Sequence, residues 1–250
     1  MSYQTKIIDY NYKKKVVAYD FPIRTGGSNL KIRKKYTEMS ADEKRYSDER
    51  RVQYYEKKKT ELIELALMNS FKIMATLTFA EDIQMYDIAI NRWRNFMRRM
   101  KWKYGEVPYI CVWERTKKNR IHFHALFNMN IDVKELEKLW SYGFVWITGT
   151  KKKNEQYNAI QYMTKYMIKS IQERVQSGES VRGERFFFCS KNLNKPKIEK
   201  VEEKIDIEKE IFENMETVIR DGVYAIKDSS GYPINRIEFV EYKTEKGEDK

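Results

Sequence analysis

The sequence predicts an α/β fold of the α+β kind, a central antiparallel sheet flanked by helices, with an extension at each end of the chain. Three observations carry this. Apolar segments of strand length alternate with helix-length amphipathic segments between residues 71 and 189. Two strand segments, Tyr109–Thr116 and Arg120–Phe127, are separated only by Lys117-Lys118-Asn119. So short a link makes a hairpin and argues against a doubly wound parallel sheet. Finally, Trp93, Phe96, Met97 and Met100 recur at helical spacing, as a helix packed on a sheet requires.

Taken in order, residues 1–70 read as a polar arm with a short strand near Lys15–Ile23 and a Gly26-Gly27 break. A charged helix follows from about Ala41 to Met68, with Ser40, Asp42 and Glu43 as its N-terminal capping signal. Phe71–Phe79 (FKIMATLTF) reads as a strand, Ile83–Trp102 as a long helix, and the hairpin strands follow. Val133–Trp140 is a short helix, Phe144–Thr148 a strand, Tyr157–Gln172 a helix and Arg185–Cys189 a closing strand. The tail suggests an acidic helix over residues 199–216 and a hairpin around Gly231-Tyr232-Pro233. Three parts are expected: residues 1–70, 71–196 and 197–250.

Composition narrows the function classes. The chain has 250 residues, 49 Lys and Arg against 37 Asp and Glu, and a net charge of +12. Mean hydropathy is −0.78, and no apolar run approaches the roughly 18 residues of a membrane span. The N-terminal MSYQTKIIDYNYKKK lacks the apolar core of a secretory signal. Cys111 and Cys189, without CxxC spacing, exclude a disulfide scaffold and a Cys-rich zinc module and fit a reducing cytoplasm. No GxxxxGK[ST] motif occurs, so a helicase-type ATPase is not expected. A basic chain with 14% aromatics points to nucleic acid. The charge is uneven: residues 199–216 carry a local −5. Asn91–Lys103 instead holds Arg92, Arg94, Arg98, Arg99, Lys101 and Lys103 with no acid, a pattern suited to phosphate contacts.

The chain contains two histidines, His122 and His124, in Ile121-His122-Phe123-His124-Ala125-Leu126-Phe127. Strand alternation puts both imidazoles on one face, which fits a metal pair better than two unrelated structural histidines. A three-residue loop ending in Asn, which tolerates the left-handed conformation, pairs Thr116 with Arg120, Arg115 with Ile121 and Glu114 with His122. Glu114 then shares the histidine face, and the three side chains suit Mg²⁺, Mn²⁺ or Zn²⁺. A four-residue loop would put Glu114 on the other face, and an ion pair with a lysine is its competing role.

Residues 157–169 contain YxxK twice, overlapping. Ile160, Met163, Met167 and Ile171 make the apolar stripe. Tyr162 and Tyr166 lie off it as i,i+4 neighbours, with Lys165 and Lys169 farther round. Taken alone, in a chain with 18 tyrosines, this reads as aromatic packing with solvated lysines. Beside a metal-polarised phosphate, the two phenols become candidate nucleophiles and the lysines their charge partners.

As an ordered set, these residues resemble the HUH endonucleases, and most of all the rolling-circle replication initiators of bacterial plasmids and single-stranded DNA phages. The set is His122-Phe123-His124 on a strand, Glu114 through His124 as the hairpin, and Tyr162-Met163-Thr164-Lys165-Tyr166 on a later helix. Ala75-Thr76-Leu77-Thr78-Phe79 is similar to the family's first strand motif, which makes Thr76 and Thr78 candidate DNA contacts. Ser190-Lys191-Asn192-Leu193-Asn194-Lys195-Pro196 is similar to the segment that follows the tyrosine helix. The resemblance covers about residues 71–196. It implies a five-stranded antiparallel sheet and nicking of single-stranded DNA through a 5′-phosphotyrosine, with Mn²⁺ or Mg²⁺ as cofactor. It also implies a replication origin as substrate, the helicase and polymerase of a bacterial host as partners, a cytoplasmic location and no membrane. The family's relaxases usually bring a third histidine, which this chain lacks, so the carboxylate variant is expected. Two rivals differ in outcome: a non-catalytic single-strand-binding module predicts binding without a covalent adduct, and a single-tyrosine transposase predicts one nucleophile. A zinc hydrolase is weakened by the missing third histidine or cysteine.

Overall fold

Strand propensity and period-two burial build the central sheet. In the computed structural model, which describes residues 2–25, 36–150, 152, 155–165, 185–227 and 232–244, the chain divides into two compact units. One joins Met1–Ser47 to Lys195–Lys250, and the other is Asp48–Asn194. Along the chain run β1 (Ser2–Asp9), β2 (Lys13–Arg24), a 3₁₀ turn (Tyr36–Glu38), α1 (Ala41–Leu67), β3 (Ile73–Thr78) and α2 (Tyr86–Tyr104). Then come β4 (Tyr109–Arg115), β5 (Ile121–Phe127), α3 (Val133–Trp140), β6 (Val145–Gly149) and α4, of which residues 155–165 are described. The rest are β7 (Phe187–Cys189), β8 (Lys197–Val201), α5 (Ile207–Glu213), β9 (Val218–Lys227) and β10 (Pro233–Lys243).

In the larger unit the five strands lie in the order β6-β3-β5-β4-β7, all neighbours antiparallel, so the predicted fold class holds. The histidine strand β5 is central. Ile121, Phe123, Ala125 and Phe127 point to one face and pack with Ile90, Trp93, Phe96 and Met100 of α2 and Leu136 and Trp140 of α3. Each such large side chain removed from water is worth about 1.5–3 kcal/mol. Leu126, with Ile110 and Val112, points to the other face and packs with Leu62, Leu65 and Ala66 of α1 and Ala159, Ile160 and Met163 of α4.

Helix α3 shows how side chains close the elements. Asp132 caps its start by accepting from Lys134 N, and Arg99 of α2 donates to the carbonyls of Leu139 and Trp140 at its end. Gly143, just beyond, lies so close to β3 that a Cβ there would sit 2.2 Å from the Thr78 carbonyl oxygen. Only glycine lets this turn lie against the sheet.

The smaller unit departs from the sequence reading. The first 25 residues are not an arm with one strand: β1 and β2 form a hairpin, joined by β8, β10 and β9 in a second five-stranded sheet of order β8-β1-β2-β10-β9. The acidic tail is not one helix over 199–216 either. Lys197–Val201 pairs antiparallel with β1, and only Ile207–Glu213 is helical, capped by Asp206. The charge pattern favoured a helix, but the partner that makes residues 197–201 a strand lies almost 200 positions away. The hairpin expected near Tyr232 is the β9–β10 pair, and its residues 228–231 lie outside the described residues, as does the Gly26-Gly27 break. Among the described residues no helix is long and apolar enough to cross a membrane.

This second sheet carries a buried charge cluster. Glu241 of β10, with its side chain 2% exposed, stands directly between Lys15 of β2 and Arg220 of β9. Lys15 Nζ and Lys13 Nζ each lie 3.0 Å from its carboxylate, and Arg220 Nη2 lies 2.7 Å from it. Burial alone would raise the carboxyl pKa. The hydrogen bonds from Arg220, Lys15 and Lys13 outweigh it and bring the group down to about 2. A depressed carboxyl stabilises the fold fully above the ordinary carboxylate range and loses this contribution as pH falls towards 2. Glu241→Gln is therefore expected to cost about 3 kcal/mol at pH 7, with the gap from the parent narrowing between pH 4.5 and 2 in denaturant titrations.

Candidate active site

The hairpin between β4 and β5 decides which side chains meet. Asn119 takes the left-handed conformation, φ 62°, and Thr116 and Arg120 close the loop, with Thr116 N donating to the Arg120 carbonyl at 2.9 Å. The resulting register pairs Arg115 with Ile121 and Glu114 with His122, as the three-residue loop predicts. On the other side of β5, Thr78 is opposite His122 and Thr76 is opposite His124. Glu114, His122, His124, Thr76 and Thr78 therefore share one face of the sheet.

His124 is the most enclosed of them, 2% exposed. Its Nε2 lies 2.9 Å from Glu114 Oε1, and its Nδ1 lies 3.0 Å from Thr76 Oγ1. An ionised carboxylate only accepts, so Nε2 carries the proton here and the Thr76 hydroxyl donates to Nδ1. A metal ion at Nε2 would require the opposite tautomer. Thr76 can serve that one too, because a hydroxyl also accepts. His122 is half-buried, and its pKa is lowered, first by burial and then by His124 and Arg120, against the pull of Glu114. The neutral imidazole so favoured is the metal-ligating form.

The donor set fits a hard divalent ion by its chemistry: two imidazoles and a carboxylate on one face. The 2.9 Å between Nε2 and Oε1 is close to the ~3 Å edge between adjacent ligands of an octahedral ion with bonds near 2.1 Å. Among the described residues, no three His, Cys, Asp or Glu side chains are already gathered into a metal-holding cluster.

Tyr162 comes to this face from α4. Its ring meets that of His124 edge to face, centroids 5.4 Å apart at 84°, and it remains 41% exposed. The helix is seated by the burial of Ala159, Ile160 and Met163, the stripe from which Tyr162 is rotated away. Lys165, three residues on, is exposed. Tyr166 and Lys169 lie outside the described residues.

The sequence offered no sign of what anchors α4. Gln156 donates through Nε2 to the carbonyls of Ala66 (3.1 Å) and Asn69 (2.8 Å), and its Oε1 accepts from Phe71 N at 3.0 Å. One amide thus ties the start of α4 to the α1–β3 connection. Asn69 in turn exchanges hydrogen bonds with the backbone of Asn194, holding the Ser190–Asn194 stretch against the end of α1.

The six basic residues of α2 lie on the other side of the sheet from the histidines, because Trp93, Phe96 and Met100 pack on the opposite face. Arg92 pairs with Glu81 at 2.7 Å, Lys101 with Glu106 and Lys103 with Glu135, while Arg99 holds the end of α3. Arg94 and Arg98 bond within the helix, to Asn91 and Asn95. Of the two threonines, Thr76 is engaged with His124, and Thr78 Oγ1 donates to the Phe144 carbonyl at 3.1 Å.

Residues 72–171 match the model of a family of replication-associated proteins, the ORF2 type. The matched stretch runs from β3 into the tyrosine helix and contains Glu114, His122, His124, Tyr162 and Tyr166. No curated protein matches the chain.

Gln156→Ala removes three hydrogen bonds to backbone groups and is expected to cost about 2 kcal/mol in denaturant unfolding. It should also raise hydrogen exchange in residues 155–165 more than in β5.

Proposed function

We propose that the chain is a replication initiator that nicks and rejoins single-stranded DNA, with Tyr162 as a nucleophile. The observation that carries the reading is the contact of the Tyr162 ring with His124, on the face where Glu114 and His122 also stand. The match of residues 72–171 to replication-associated proteins supports the same reading. His122, His124 and Glu114 would hold a divalent ion, Mn²⁺ or Mg²⁺, which when bound supplies Lewis-acid polarisation of a phosphate oxygen.

The chain's own residues account for the rest. The Tyr162 oxygen attacks phosphorus and loses its proton to solvent. The bond from phosphorus to the 3′ oxygen breaks, and that oxygen takes up a proton as a free 3′-hydroxyl. The 5′ end stays on the tyrosine as a phosphodiester. Attack by a 3′-hydroxyl on that linkage reverses the exchange, with no ATP required. Lys165, next along the helix, offers positive charge to the phenolate or to the leaving oxygen. Tyr166, one turn on, would serve a second cut, with Lys169 in the same relation to it. Phosphate contacts by lysines and arginines supply most of the affinity.

Internally labelled random-sequence single-stranded DNA, incubated with the protein and Mn²⁺, should leave an SDS-resistant adduct. His122→Ala and His124→Ala are expected to abolish the adduct while keeping DNA affinity within about threefold, since phosphate contacts are untouched. Either Tyr162→Phe or Tyr166→Phe should retain some adduct, and the double variant none. Full binding with no adduct in the parent protein would make it a binding module.

A further inference from the structure

The face that carries the histidines continues across β3 to the edge strand β6, and there it is aromatic and open. Thr76 is opposite Trp146 as well as His124, so Trp146, Thr76 and His124 form one row across three strands. Phe144 and Thr78 exchange backbone hydrogen bonds, at 2.9 and 3.2 Å, and Thr78 is opposite His122, which makes a second row. Burial agrees with this assignment of faces. Val145, between the two aromatics, is buried in the core on the α2 side, and Ile147 packs against it. Phe144 is 68% exposed and Trp146 74%.

Two large exposed aromatics on an edge strand are costly, since such edges are normally blunted by charge or covered. Their position suggests what covers them. They stand two strand spacings, about 10 Å, from the histidines and about 7 Å from each other along the strand. Between them and the site lie only the threonines, and no bulky side chain in either row intervenes. Flat apolar rings on an open sheet, beside a phosphate-handling site in a chain of net charge +12, are complementary to unstacked bases on an anionic backbone.

We propose that Phe144 and Trp146 form a base-stacking platform that receives the nucleotides next to the scissile phosphate, on the β6 side of the histidine pair. The inference rests on the nicking function proposed above and adds the path of the strand: across β3 towards β6. Stacking reads the π-face, so the platform selects single-stranded over duplex DNA with little base preference. The turn through Gly143, which only glycine can make against Thr78, fixes where Phe144 stands.

The test uses the full chain in EDTA, so that no chemistry intervenes. A dye-labelled random-sequence single-stranded oligonucleotide and a duplex of the same length are titrated by fluorescence anisotropy. Trp146→Ala is expected to weaken single-strand binding about 5- to 100-fold, and the Phe144→Ala/Trp146→Ala double variant further. Duplex binding should change less than about twofold, because paired bases cannot reach the rings. Trp146→Phe should restore most of the lost affinity, which a merely unfolded edge strand would not allow. Unchanged single-strand affinity in the double variant, with normal binding by the parent, overturns the platform and leaves the nicking reading standing. Loss of a dimer in sedimentation with no loss of single-strand affinity overturns it in favour of contact between copies of the chain. Failure of the parent protein to bind single-stranded DNA at all overturns both.

Discussion

The register between β4 and β5 is the constraint on which the candidate site depends. Strand side chains alternate, so a slip of one residue would move Glu114 to the face of α2 and α3 and leave the histidines without a carboxylate. A single backbone conformation guards against that slip. Asn119 turns left-handed, φ 62°, and the loop closes in three residues. A β-branched residue in its place would have to adopt a conformation that L side chains resist, and the cheapest relief is a longer loop in another register. The chemistry of the site is thus held by a turn several residues away from it.

With the register set, the sheet works as a partition. One face is filled by an aromatic core in which Phe123 stacks on Trp93 at 5.3 Å and meets Trp140 and Phe79 edge-on, and no polar side chain need enter. Because that core needs no polar partners, the other face can hold histidine, glutamate and threonine at one end of the strands. Its apolar half, Ile110, Val112 and Leu126, seats α1 and α4. The seating brings Tyr162 over His124. The arginines of α2 are spent differently from what a basic helix suggests: Arg99 satisfies the last carbonyls of α3, and Arg92 lies over Tyr142 and against Glu81. Charge count alone does not separate such structural cations from those that face a polyanion.

The termini obey a different rule. Neither the first 25 residues nor the last 50 hold enough apolar surface in a local segment to fold by themselves, yet together they make a five-stranded sheet. A carboxylate satisfied by three cations lies inside it. Breaking any strand out of that sheet strands part of the cluster, so the chain ends are bound into one unit by electrostatics as well as by backbone pairing.

What the sequence determined by itself was local or nearly so. The 3.6 and 2.0 periodicities were enough for α2, α3 and the β4–β5 hairpin, and the loop chemistry of Lys117-Lys118-Asn119 was enough to place Glu114 opposite His122. Tertiary structure alone decided the rest. The strand character of residues 197–201 exists because β1 lies beside them. Gln156 became an anchor because three backbone groups from another segment converge on it. Phe144 and Trp146 joined the histidine face because β6 returns to pair with β3. The division is physical. Turn geometry and side-chain alternation act over a few residues and leave their mark in the local sequence, whereas partners brought together across a hundred positions are chosen by the packing of the whole sheet.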